Sequence, residues 1–325
     1  MLNPRKVAVI GCGNVGASIA FSLMQKALFS EMVLIDIDTR KAEGEAMDIS
    51  HGLAYTASMD IYAGDYADLA DCSLVIVTAG ANQKPGETRL DLIEKNVAIL
   101  RTILPQIKAT AFEGILMIVS NPVDILTYEA QLISGYPPQK VIGSGTVLDT
   151  ARLKYILSRR LEVDLRNVHA VIIGEHGDSE LAVWSSANIS GIDLDRFREL
   201  RGFYDHEREL REIYEAVRNS AYEIIERKEA TYYGIAMAVA RIAECIVKDE
   251  KAVLPVSTVL DGQYGFHGLA LSIPSVVGKD GVEAVLEIPL NGSESEALYM
   301  SSLQLKSVIH ELEGKGKREA GIPVL

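Results

Sequence analysis

A hexapeptide near the start of the chain, Gly11-Cys12-Gly13-Asn14-Val15-Gly16, follows the apolar run 7–10 and opens a stretch of helical character. No other feature restricts the fold so tightly. Glycines in GxGxxG spacing at a strand-to-helix junction make a tight turn and let the backbone approach a pyrophosphate, which then sits at the positive end of the helix. The motif is common; its place between a strand and a helix gives it meaning. Asp36 stands 20 residues after Gly16 and follows the second apolar run, 32–35. A carboxylate there accepts hydrogen bonds from an adenosine ribose and repels a 2′-phosphate, so the pattern selects NAD over NADP.

The rest of the first half repeats the same alternation. Branched, apolar runs at 7–10, 32–35, 74–78, 115–120 and 141–142 are separated by helical patterns such as 16–27, 39–51 and 89–107. Apolar strands without polar alternation, joined by helices, predict a parallel sheet covered on both faces. The fold class is α/β, a doubly wound Rossmann sheet, expected over residues 1–145. The second half, 146–325, reads as an α+β domain. It holds a helix from Asp149 through Arg160, a strand at 168–173 and a charged helical tract at 197–228. Turn-rich strands follow at 252–288, then an amphipathic helix at 294–312. The residues Gly314-Lys315-Gly316-Lys317-Arg318 read as a solvated tail.

Composition narrows the function classes. A chain of 325 residues that is 48% hydrophobic has length for two domains and for a buried core. Its net charge of −13 argues against nucleic acid or an anionic membrane as partner, though not against an anionic substrate held by local cations. Cys12, Cys72 and Cys245 are odd in number and far apart, which suits a reducing cytoplasm better than a disulfide framework. The run 7–10 passes straight into glycines and reads as a strand, not a signal peptide. The weakly polar stretch 232–247 contains Arg241 and Glu244 and is too short for a membrane span.

The chemistry centres on Gly174-Glu175-His176-Gly177-Asp178, directly after the apolar Val171-Ile172-Ile173. A histidine between small residues at a strand end can give and take a proton near neutrality. It needs a carboxylate to fix its tautomer, and both Asp149 and Asp178 are candidates that spacing does not separate. Arg152 follows Asp149 by three residues, so the two share a helical face. Arg89 ends a polar Pro- and Gly-containing loop, 81–88, of the kind that closes over a site. Either arginine offers the planar fork that binds a carboxylate. No HExxH pattern occurs and the six histidines do not cluster, so no metal site is expected.

From about Lys6 to Leu312 the chain resembles the lactate and malate dehydrogenase family, and within it the bacterial L-lactate branch. The resemblance rests on AGANQKPGETRLDLIEKN at 79–96, Asn121-Pro122-Val123-Asp124, IGSGTVLDTAR at 142–152, the segment 173–178 and ATYYGIA at 230–236. It implies NAD-dependent interconversion of pyruvate and L-lactate. His176 would be the acid–base group, oriented by Asp149. Arg152 would grip the substrate carboxylate and Arg89 polarise the reacting carbonyl, with Gln83, Asn121, Asp124 and Thr231 completing the substrate site. For the cofactor the resemblance adds Val15, Lys41, Tyr66, Gly80, Ala81, Thr102, Val119, Asn121 and Ser144 to Gly11, Gly13, Asn14, Gly16 and Asp36. It also implies a homotetramer with an intersubunit anion site for fructose 1,6-bisphosphate, at Lys154 and His169. The family pairs that histidine with an arginine, and lysine keeps the charge but loses the two-pronged geometry.

Three rivals are weighed. Malate dehydrogenase shares the fold, and Gln83 speaks against it: an arginine there would pair with the second carboxylate of oxaloacetate. A metal-dependent, NAD-using glycosidase would need a Cys/His site that the three cysteines do not form. A non-catalytic NAD-binding protein would have no use for His176, Asp149, Arg89 and Arg152 together.

Overall fold

The computed structural model describes residues 2–81 and 88–319, without the side chains of Arg89, His206 and residues 313–319. The chain opens with β1 (Asn3–Ile10), α1 (Asn14–Lys26), β2 (Glu31–Ile35), α2 (Thr39–His51), β3 (Asp60–Ala63) and β4 (Cys72–Val77). Next come α3 (Arg89–Ala109), β5 (Ile115–Ile118), α4 (Val123–Ser134) and β6 (Val141–Gly143). These strands run parallel in the order β3-β2-β1-β4-β5-β6. Residues 7–10 and all of β5 are buried, as expected where helices cover both faces. The doubly wound sheet predicted from the apolar runs is present.

The remaining elements are α5 (Val147–Leu161), β7 (Val168–His169), β8 (Ile172–Ile173), β9 (Leu181–Ala182), β10 (Asn188–Ile189) and β11 (Ile192–Asp193). They are followed by α6 (Leu194–Leu200), α7 (His206–Lys228), α8 (Tyr233–Lys248), β12 (Ala252–Asp261), β13 (His267–Gly278), β14 (Gly281–Val285) and α9 (Gly292–Glu319). β12 joins β6 antiparallel through Ser257 opposite Gly143, and β13 and β14 extend the edge. One nine-stranded sheet therefore runs from the first half into the second.

Four local expectations need correction. β3 has no apolar run in the sequence, because only Ile61 of its four residues is buried at this sheet edge. The strand expected at 168–173 is two strands. Residues 168–169 pair with β10 and residues 172–173 with β9, so the chain crosses between two small sheets at Ala170–Val171. The charged tract is two helices, broken where the buried Arg198 guanidinium donates to the carbonyl of Asp205 and holds the turn. Finally, α9 carries helical backbone through Glu319 across the supposed tail.

Apolar side chains form three cores. One lies between the sheet and α1, α2 and α8, and a second between the sheet and α3, α4 and α9. The third joins Leu153, Leu157 and Leu161 of α5 to Ile213 and Val217 of α7. On α7 the spacing of Ile213, Val217, Ala221 and Ile224 does mark an inward stripe, buried at the first two and half-buried at the others. Among the described residues no helix is long and apolar enough to cross a membrane.

Candidate active site

A crevice of about 620 Å³ opens at the carboxyl ends of β1, β2 and β4. This is where open α/β sheets bind their ligands. Gly11, Gly13, Asp36, Lys41, Tyr66, Gly80 and Thr102 line it. A Cβ on Gly16 would stand 1.8 Å from the carbonyl oxygen of Gly11, so α1 approaches the end of β1 as only glycine permits. A Cβ on Gly13 would meet nothing within 4 Å, which leaves that backbone open to a ligand. Asp36 is held at the rim: Oδ2 accepts from the Cys12 amide at 2.6 Å and Oδ1 from the Asp38 amide at 3.0 Å. Tight turn, open backbone and oriented carboxylate fit a dinucleotide.

Other expected cofactor residues sit apart from this crevice. Asn14, Val15 and Gly16 form the first turn of α1. The amides of Ala81, Val119 and Ser144 donate to Asn96 Oδ1, the Val77 carbonyl and the Ile118 carbonyl. Asn121 lines a second cavity of about 400 Å³, and α3 contributes wall to both.

That second cavity contains the histidine. His176 rides the turn between β8 and β9, with Gly174 and Gly177 at φ +95° and +139°, a backbone other residues rarely adopt. The turn is docked on β13 by paired backbone hydrogen bonds between Gly174 and Ser272. His176 Nδ1 lies 2.6 Å from Asp149 Oδ2. Asp149 sits in the first turn of α5, where the helix dipole favours negative charge. Its other oxygen accepts from Arg152 Nη1 at 2.7 Å. Burial works against the charge on Asp149, but His176 and Arg152 outweigh it and hold the carboxyl below its usual range. An ionised carboxylate only accepts, so Nδ1 carries hydrogen and Nε2 is left for the cavity. The His176 side chain keeps 24% of its surface open. Burial alone would lower the histidine pKa; Asp149, by charge and hydrogen bond, with smaller pulls from Glu180 and Asp124, raises it to about 9.

The geometry thus separates the two candidate carboxylates. Asp149 touches the imidazole, whereas Asp178 accepts from the Tyr222 hydroxyl at 3.1 Å. Asp124, expected at the substrate, lies behind the histidine instead and is 1% exposed. Its Oδ2 accepts from the His176 amide at 2.7 Å, and Oδ1 from the hydroxyls of Ser257 at 2.6 Å and Ser272 at 3.1 Å. It therefore ties α4, β12 and β13 to the histidine turn. Burial raises its pKa to about 6, against those hydrogen bonds. Thr231 is half-buried and does not line this cavity. Gln83 and the Arg89 side chain lie outside the described residues.

Sequence reasoning missed Glu180 and a row on α7, Arg218, Ala221, Tyr222 and Ile225, all of which line the cavity. The row has helical i, i+3, i+4, i+7 spacing and flanks the core stripe of the same helix, and that spacing is its one signal in a tract that otherwise reads as charged helix. Asp149, His176 and Glu180 each place one potential metal-ligating atom within 4.8 Å of the others. The Arg152 guanidinium lies 2.7 Å from Oδ1 of Asp149, the residue at one corner of that triangle. Lys154 and His169 line a third cavity, of about 520 Å³, together with Arg241.

A dinucleotide crevice sharing a helix with a pocket built on a histidine–carboxylate couple defines a class, the nicotinamide-dependent oxidoreductases. Comparison with known proteins sharpens it. The lactate/malate dehydrogenase NAD-binding domain matches residues 5–143, and the α/β C-terminal domain of the same family matches residues 146–315. An L-lactate dehydrogenase of Acetivibrio thermocellus is 50% identical over 309 residues, 95% of this chain and 98% of that one. An L-lactate dehydrogenase of Moorella thermoacetica is 51% identical over 310 residues, again 95% and 98%. The crystal structure of a minor L-lactate dehydrogenase from Enterococcus mundtii superposes with a TM-score of 0.92 at 43% identity, covering 94% of this chain and 98% of its own. The chain belongs to the lactate/malate dehydrogenase family. It is an oxidoreductase of 2-hydroxy acids, and NAD is its cofactor.

Proposed function

We infer that the chain is an NAD-dependent L-lactate dehydrogenase interconverting pyruvate and L-lactate, with His176 as proton donor and acceptor. The observation that carries this reading is the continuous chain from His176 through Asp149 to Arg152, at 2.6 and 2.7 Å, in a pocket sharing α3 with the dinucleotide crevice. NAD, when bound, supplies the hydride acceptor and its reduced form the donor. His176 gives its Nε2 proton to the carbonyl oxygen of pyruvate as that carbon is reduced, and takes it back from lactate. Asp149 holds the ring and offsets the charge it gains. Arg152 spends one N–H on Asp149 and offers its remaining donors to the substrate carboxylate. Arg89 is assigned to the reacting carbonyl, Asn121 to the same oxygen, and Gln83 to the side of the substrate methyl. Asp124 acts from behind by holding the His176 backbone. Residues 1–145 serve as the NAD-binding domain and residues 146–325 as the catalytic domain.

Because the histidine pKa is raised, the imidazolium is present at lower pH and is lost as pH rises through about 9. Pyruvate reduction falls over that range, and lactate oxidation gains. The test is NADH oxidation with pyruvate, oxaloacetate and branched 2-oxo acids side by side. Pyruvate gives the highest kcat/KM on this reading; a preference for oxaloacetate overturns it.

The third cavity supports an effector role. Lys154 and Arg241 bring positive charge, and His169 an imidazole, to about 520 Å³, and we assign the site to fructose 1,6-bisphosphate bound between protomers of a homotetramer. The bisphosphate then lowers the apparent pyruvate KM, Lys154→Arg strengthens the response and His169→Ala abolishes it. Kinetics and assembly that both ignore millimolar effector would remove this assignment. The three cysteines are free and buried, which suits a cytoplasmic setting.

A further inference from the structure

Glu180, the residue before β9, is a buried carboxyl in the catalytic cavity that the mechanism above leaves without a task. It is 4% exposed, and it shares that cavity with His176. A carboxyl oxygen lies within 4.8 Å of both the Asp149 carboxylate and a His176 ring nitrogen. Its main chain is anchored: the amide donates to the Gly177 carbonyl at 3.2 Å, and the carbonyl accepts from the Tyr214 hydroxyl. Among the described residues no hydrogen bond or salt bridge reaches its carboxyl oxygens. The carboxyl oxygens therefore face the cavity instead of a protein partner, the placement of a group that acts on the site.

The surrounding charges come from four elements. Asp149 and Arg152 face it from α5, His176 and Asp178 from the β8–β9 turn, and Tyr214 and Arg218 from α7, while Asp124 on α4 stands behind the histidine. Asp149 is already committed as the anion that balances His176 and Arg152. A second anion in the same small volume is disfavoured by desolvation and by like charge.

We propose that Glu180 is a positioning residue for the reaction, a carboxyl that stays neutral while the site works and whose ionisation tightens the hold of the Asp149–His176 couple on its proton. This rests on His176 as the acid–base group. Burial first, then the charge of Asp149, push Glu180 up to about 8, against His176, Arg152 and Arg218. In turn its charge contributes to the raised value at His176. Its ionisation therefore falls just below that of the histidine and extends the range over which the imidazole stays charged. Coupled sites of this kind titrate as a unit, so the consequence is a displaced pH limit for pyruvate reduction.

The test uses the holoenzyme and Glu180→Gln, which keeps the shape and removes the charge. The alkaline limb of kcat/KM for pyruvate should move down by about one pH unit, the size expected for losing one nearby charge. Glu180→Asp, which retains a carboxyl, should bring the limb back toward wild type. A purely structural role would lower activity at every pH and leave the limb in place, and that result overturns the proposal. Infrared difference spectra of the wild type give a second reading that needs no variant to fold. A protonated-carboxyl band should vanish through about pH 8, apart from that of Asp124, which should vanish through about pH 6. No carboxyl titrating near 8 would equally refute it. If His176→Asn abolishes turnover while Glu180→Gln leaves the limb unmoved, this proposal fails and the catalytic reading stands. If His176→Asn keeps turnover, the catalytic reading fails first.

Discussion

The dinucleotide crevice and the catalytic cavity are made in different ways. The crevice is mostly backbone: Gly11, Gly13 and Gly16 shape it within one six-residue run, and Asp36 reaches it from the next strand. The cavity is side chains gathered from α3, α5, the β8–β9 turn and α7, and its key contacts join residues 27 and 52 positions apart. A backbone site tolerates little change in residue size but does not depend on any one ionisation. A site of convergent side chains is the reverse: its geometry is shared among many elements, and its output depends on which groups carry protons. Local chain geometry makes the first, and tertiary packing makes the second.

Substitutions can break that contrast or sharpen it. After loss of the histidine itself, the largest change is expected from Gln83→Arg, which supplies a fork for the second carboxylate of oxaloacetate and an unmatched charge beside pyruvate. The ratio of kcat/KM for oxaloacetate over pyruvate should rise by about 10²–10³-fold; an unchanged ratio would place Gln83 away from the substrate. Next is Asp149→Asn, which removes the anion 2.6 Å from the imidazole and should lower kcat by about 10²-fold, with NADH affinity little changed. Asp178→Asn, which among the described residues loses the hydrogen bond from the Tyr222 hydroxyl, should do far less. Equal losses would mean that the Asp149 contact carries no special role. On the crevice side, Gly16→Ala forces a Cβ to 1.8 Å from the Gly11 carbonyl, and the backbone must give. We expect a loss of about 1–3 kcal/mol in stability. NADH affinity should weaken about 10-fold, with kcat at saturating NADH nearly preserved. Thermal melts and NADH titration measure the two, and a normal melt with full affinity would show the close approach to be dispensable.

The same contrast governs what was legible in the sequence. Buried parallel strands read clearly, because burial on both faces leaves an uninterrupted apolar run. β3 did not, because an edge strand with one buried residue has no such signature. The fingerprint and Asp36 were legible because strand, turn, helix and next strand follow one another in the chain. His176 was legible from its glycine neighbours, but its partner was not: Asp149 and Asp178 were separable only by resemblance until the packing of α5 put one of them at the ring. Asp124 shows the limit most plainly. Its motif places it near the substrate, while the serines of β12 and β13 that capture its carboxyl lie more than a hundred residues away. Glu180 gave no local signal at all, since what sets it apart is the Asp149–His176 couple that packing brings within 4.8 Å of its carboxyl.

The central claim is that cofactor binding and proton transfer belong to separately built regions, with the proton on His176. Its most direct test is His176→Asn, measured for NADH affinity by fluorescence titration and for pyruvate reduction at saturating NADH. The account predicts an NADH Kd close to wild type and turnover lower by about 10²–10⁴-fold, the worth of a positioned acid–base group. Wild-type turnover in that variant, or a loss of NADH binding as large as the loss of turnover, would contradict it.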